Sequence, residues 1–137
     1  MKAELAKKNE DYYYIWIDSK INNNENSKYS GILSKTYTNI HYFTNIKDAI
    51  ILFQKIKFNL TYIIVSGTFF VEFISRLKNI ENEISTVPKI IIFTSESIKS
   101  KLITLKEIND SFYNIGGLSV SFVEVQSFLN KKKKIYK

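Results

Sequence analysis

Cysteine is missing from this 137-residue sequence, and proline, histidine, methionine and tryptophan each occur once. Without cysteine there are no disulfides, no thiolate metal ligands and no thiol nucleophile. Neither Gly-x-Gly-x-x-Gly nor a Walker lysine occurs, so the two common phosphate-cradling loops are excluded. No apolar run approaches the roughly 18 residues that span a bilayer; residues 90–93 make a run of strand length. Residues 1–11 are charged and lack the apolar stretch of a signal peptide. Together these absences point to a cytoplasmic protein without a membrane span.

What is present is enough for one core. The composition is 45% hydrophobic and 15% aromatic, ample for a packed interior in a chain of single-domain length. The net charge of +7 is concentrated at one end. Lys131, Lys132, Lys133, Lys134 and Lys137 are five of the 20 basic residues, leaving 15 basic against 13 acidic in residues 1–130. The division expected is a charged segment over 1–11, one domain over 12–130 and a basic tail or linker over 131–137. Such a tail reads first as a solvated end, and second as a weak attraction for polyanions.

Strand and helix periods alternate along the domain. Tyr12-Tyr13-Tyr14-Ile15-Trp16-Ile17 is a β-branched and aromatic run ending at Asp18, as a buried strand does. Residues 22–26 carry turn chemistry, and Tyr29, Ile32, Leu33 and Thr36 then follow at helical spacing. Residues 40–43 form a second short strand. Asn45 is placed to cap a helix whose apolar face is Ile46, Ala49, Ile50, Phe53 and Ile56. Asp48 lies near its positive end.

Residues 62–65 form the third strand, closed by Ser66-Gly67, and a longer helix carries Phe70, Phe73, Ile74, Leu77, Ile80 and Ile84. Pro88 precedes the fourth strand, where proline is tolerated. Ser95 and Glu96 open a helix with Ile98, Leu102, Leu105 and Ile108 on one side. Residues 112–115 read as the fifth strand, with Gly116-Gly117 as the tight turn after it. Ser121 and Glu124 have the spacing of a capping box, opening a helix striped by Phe122, Val125, Phe128 and Leu129.

Strands that are apolar throughout, each followed by a one-faced helix, require a sheet covered on both sides. With right-handed crossovers, five such units give an α/β domain of three layers. The expected fold is a five-stranded parallel sheet of order 2-1-3-4-5, flavodoxin- or receiver-like.

In that architecture ligands bind beyond the carboxyl ends of the strands. The residues to inspect there are Asp18 and Ser19, Ser66 and Gly67, Thr94 and Ser95, and Gly116. Phosphoryl transfer would need a carboxylate nucleophile, further carboxylates around a hard cation and a positive group for the phosphoryl charge. Asp18 is the only acid of the set. Ser66 has no base beside it in the pattern, and no Gly-x-Ser-x-Gly surrounds it. His41, in the second strand at the far end of the sheet from Ser66, does not complete a triad. No metal, cofactor or catalytic residue is expected, and the chain is not read as an enzyme. The aromatics Tyr12, Tyr13, Tyr14, Trp16, Phe69, Phe70, Phe73 and Phe93 read as core rather than as a base-stacking platform.

From Tyr12 to Leu129 the chain resembles the receiver domain of response regulators. Trp16-Ile17-Asp18 matches the acidic end of the first strand, and Ile91-Ile92-Phe93-Thr94-Ser95 the hydroxyl motif of the fourth. The departures are as informative. Receivers carry an acidic pair where this chain has Asp18-Ser19, a phosphorylated aspartate where it has Ser66, and a lysine where it has Gly116-Gly117. The resemblance therefore implies a pseudo-receiver that works without phosphorylation. Trp16-Ile17-Asp18 and Val65-Ser66-Gly67 are also similar to receiver-like modules of large eukaryotic signalling proteins.

Three functions are in view. The first is a non-catalytic signalling or scaffold module that binds a protein or itself, with Phe122, Val125 and Phe128 as its contact face by analogy with receivers. The second is a nucleic-acid-binding protein using the basic tail, whose binding would fall steeply with salt. The third is a small-ligand or nucleotide sensor at the carboxyl end of the sheet.

Overall fold

The computed structural model describes residues 12–56, 60–83, 87–110 and 114–135. Its elements are β1 (Tyr12–Ile17), α1 (Asn24–Thr36), β2 (Ile40–Phe43), α2 (Ile46–Lys55), β3 (Leu60–Ser66) and α3 (Gly67–Asn79). After a 3-10 turn at Glu81–Glu83 come β4 (Lys89–Phe93), α4 (Glu96–Asp110), β5 (Asn114–Ser119) and α5 (Phe122–Ile135). All strand pairs are parallel, in the order β2-β1-β3-β4-β5. This is the expected three-layer α/β fold.

Successive strand side chains point to opposite faces, so each apolar run supplies two cores. Ile15, Ile17, Ile63, Val65, Ile90 and Ile92 face α2, α3 and α4, meeting Phe53, Phe70, Phe73 and Leu102. Tyr14, Trp16, Tyr62, Ile64 and Ile91 face α1 and α5, meeting Leu33, Phe122, Val125 and Leu129. Each fully buried Ile, Leu or Phe contributes about 1.5–3 kcal/mol through the area it removes from water.

The helix starts follow from short polar side chains. Asn45 Oδ1 accepts from the Asp48 amide at 2.9 Å, and Ile46, Ala49, Ile50, Phe53 and Ile56 are all buried, as their spacing implies. The first helix begins inside the stretch read as a turn. Asn23 caps it by accepting from the Asn26 amide at 2.7 Å, and Asn26 itself is buried. On its apolar side Leu33 is buried and Tyr29 half-buried, while Ile32 is exposed.

The capping box at α5 is only half formed. Ser121 Oγ accepts from the Glu124 amide at 3.4 Å, but the Ser121 amide donates to Ser119 Oγ at 2.9 Å rather than to Glu124. The helix then runs on to Ile135, through positions 131–134. Phe112 and Ile84 fall outside the described residues, as do residues 1–11.

The fifth strand corrects the sequence reading. Gly116-Gly117 is not a turn after the strand but lies inside β5. Ile90 pairs with Ile115 and Ile91 with Gly117, so Gly116 is the extra residue of a β-bulge. Glycine at 117 serves a different end: a β-carbon there would run into the ring of Phe128.

Candidate functional site

The carboxyl ends of β1, β3, β4 and β5 open into one cleft of about 410 Å³. Of the residues singled out from the sequence, Asp18, Ser19, Ser66, Gly67, Thr94 and Ser95 line it together. Gly116 does not. The strand runs on to Ser119, four residues past the expected end at 115, and Val120 just beyond it joins the lining.

Asp18 leaves β1 with its amide donating to Phe43 O at 2.9 Å, which anchors the loop to the end of β2. Its Oδ1 accepts from the Lys20 amide at 2.9 Å, and its Oδ2 lies 3.5 Å from Asn26 Nδ2. Asn26 Nδ2 also donates to Lys20 O at 2.9 Å. Burial pushes the Asp18 carboxyl above its ordinary pKa, against the lowering by the Lys20 amide and ammonium.

At the centre of the cleft, Ser66 ends β3 and starts α3. It is 7% exposed, and its hydroxyl lies 3.3 Å from Thr68 Oγ1 instead of capping the helix. Gly67 is packed so closely on Thr94 and Ile98 that any β-carbon would collide with them. Ser95 Oγ lies 3.3 Å from Ser97 Oγ at the start of α4, where the Lys99 amide donates to Ser95 O.

Sequence reasoning missed Lys20, Asn23, Glu25, Asn26, Thr68, Phe93, Ile98 and Val120, which complete the lining. The Asn23-x-x-Asn26 spacing was a usable signal, since an asparagine three residues before a buried position is cap geometry. Nothing in the pattern separates Phe93 or Val120 from core positions. Chemically the cleft offers two carboxylates, one ammonium, several hydroxyls and an apolar wall. Among the described residues, no three histidine or acidic side chains gather as metal ligands.

The contact face expected on the last helix is not a surface. Phe122 and Val125 are buried and Phe128 is half-buried, all three against the α1/α5 core. Phe122 stacks on Tyr29 with ring centroids 4.1 Å apart. That side of the sheet needs a cover, and the α5 stripe provides it. Among the described residues of this helix, the exposed large hydrophobic is Val123, 73% exposed.

His41 is exposed on β2, its ring stacked on Tyr13 at 6.5 Å, and it plays no part in the cleft. No helix among the described residues is long and apolar enough to cross a membrane. In comparison with known proteins, the chain matches no protein family, no curated protein and no solved structure. Strand order and layering are compatible with a receiver-like fold.

Proposed function

We propose that this chain is a non-catalytic pseudo-receiver, a signalling or scaffold module that acts through protein contacts. The observation that carries the reading is the state of Ser66. It stands where a receiver has its phosphoacceptor aspartate, yet it is buried, its hydroxyl is engaged with Thr68, and Gly67 beside it is packed against Thr94. Two further positions support it. Val120 occupies the cleft at the end of β5, where a receiver has a lysine, and Ser19 follows Asp18 in place of a second acid.

The test is an amide NMR titration of the full chain with magnesium and then with magnesium plus beryllofluoride. Unchanged resonances for Asp18, Ser66 and Thr94 are expected. Saturable shifts at these residues at millimolar concentrations would mean that the phosphoryl pocket works, and the reading would fall.

The cleft itself favours a second reading, a small-ligand or nucleotide sensor, because its volume lies in the range of ligand sites. A melting-temperature screen against common nucleotides tests it: binding to the folded state alone raises the midpoint with ligand concentration.

A further inference from the structure

Sheet order arranges the cleft lining into a gradient. Asp18 and Lys20 follow β1 and Glu25 stands in the first turn of α1; the β3 and β4 ends bring hydroxyls; and the apolar lining comes from the end of β4 (Phe93), from α4 (Ile98) and from the residue after β5 (Val120). From β1 to β5 is three strand spacings, about 14 Å, the length of roughly four extended residues. Three residues beyond Val120 stands Val123, the most exposed of the large hydrophobics among the described residues. On the β1 side the lining holds two carboxylates and one ammonium; the Lys20 ammonium acts on Asp18 without forming an ion pair, and Glu25 forms none among the described residues.

We infer that this cleft receives a short extended segment of a partner protein, seating an apolar side chain on Phe93, Ile98 and Val120 and a lysine or arginine between Asp18 and Glu25. The inference rests on the protein-contact reading above and gives it a site. Charge complementarity selects a basic segment, since a phosphate or acidic peptide would meet both carboxylates. The separation of charged and apolar ends selects a segment over a small amine, which would leave Val120 and Val123 uncovered. Burial also holds Asp18 away from its preferred charged state, and an incoming cation reverses that cost.

The experiment is selection of random octapeptides on the full chain, followed by affinity measurement of the enriched sequences. Enrichment of an apolar residue two to four positions from a lysine or arginine is expected. Binding should weaken about tenfold or more in Asp18→Asn/Glu25→Gln, and similarly in Val120→Ser/Val123→Asp; tenfold corresponds to about 1.4 kcal/mol. Leu60→Ser, at an exposed position on the opposite end of β3, should leave binding unchanged. Melting curves of each variant report whether it is folded, and Val123→Asp places an acid favourably at a helix start.

Enrichment of acidic peptides, no enrichment at all, or binding indifferent to both cleft variants would overturn the inference. Peptides that respond to Leu60→Ser instead would remove the cleft as the site and leave the protein-contact reading standing. Beryllofluoride shifts at Ser66 would bring down that reading independently.

Discussion

Gly67 and Thr94 approach so closely that the space for a β-carbon on residue 67 is filled by the threonine side chain, with Ile98 Cγ2 only 2.8 Å away. The contact joins the start of α3 to the β4–α4 loop across the floor of the cleft. Gly67→Ala must push these segments apart. Overpacking of this kind costs about 1–3 kcal/mol. Urea denaturation should show the midpoint falling with the slope unchanged, and amide shifts should spread through Thr94, Ser95 and Ile98.

A second close approach is separable into its parts. The ring of Phe128 fills the space beside Gly117, so Gly117→Ala displaces a half-buried side chain rather than backbone. It should destabilise by about 1–3 kcal/mol. Phe128→Leu removes part of the obstruction at its own packing cost. In a double-mutant cycle the two changes should be less harmful together than their sum, by about 0.5 kcal/mol or more. Strict additivity would mean that the ring does not occupy that space in solution.

The second of these glycines marks where the sequence stopped being readable. The face of α2 was legible because Ile46, Ala49, Ile50, Phe53 and Ile56 keep one unbroken helical rhythm behind an asparagine cap. The strands were legible because buried parallel strands need apolar residues on both faces. Gly116-Gly117 was not, because paired glycines are local turn chemistry, whereas a bulge and a ring packed on the backbone are facts of tertiary structure. The stripe of Phe122, Val125 and Phe128 looks the same whether it covers a sheet or a partner. Only the position of α5 over Trp16 and Ile91 decides for the sheet. In the cleft, residues at strand ends were found by topology. Asn23, Glu25 and Asn26 belong to an asparagine-rich loop whose capping hides inside what resembles a plain turn.

The tyrosines near the amino ends of β1 and β3 set the alkaline limit of the fold. Tyr14 lies 4.1 Å from Tyr37 and 5.4 Å from Tyr62, centroid to centroid, and Tyr37 Oη donates to Asn130 Oδ1 at 2.9 Å. Burial raises the Tyr14 phenol well above its ordinary value and pushes Tyr37 up to about 12. The unfolded chain ionises these groups near pH 10, before the folded chain does, so it binds fewer protons there and stability falls as pH rises. Melting temperature should therefore decline above about pH 10. Tyr37→Phe should flatten that decline, while costing about 0.5–1.5 kcal/mol at neutral pH for the lost bond to Asn130. A variant with the same alkaline slope as the parent would show that Tyr37 titrates normally.

Asp18 produces the opposite dependence at the acid side. Its carboxyl is raised from 3.8 by burial, so the folded state holds this proton more tightly than the unfolded chain does. Ionised Asp18 is then a cost to folding, fully present above its raised pKa and removed as pH falls from there through 3.8. Asp18→Asn keeps an oxygen for the Lys20 amide and deletes the charge. At pH 7 the variant should match or exceed the parent in stability, by no more than about 0.5 kcal/mol because the group is part-solvated. That difference should shrink to nothing as pH drops below the ordinary carboxylate range. Paired thermal melts from pH 7 to pH 3 measure it. A parent more stable than the variant at pH 7, with the gap closing in acid, would mean that the Lys20 amide and ammonium outweigh burial and that Asp18 is held below its ordinary pKa.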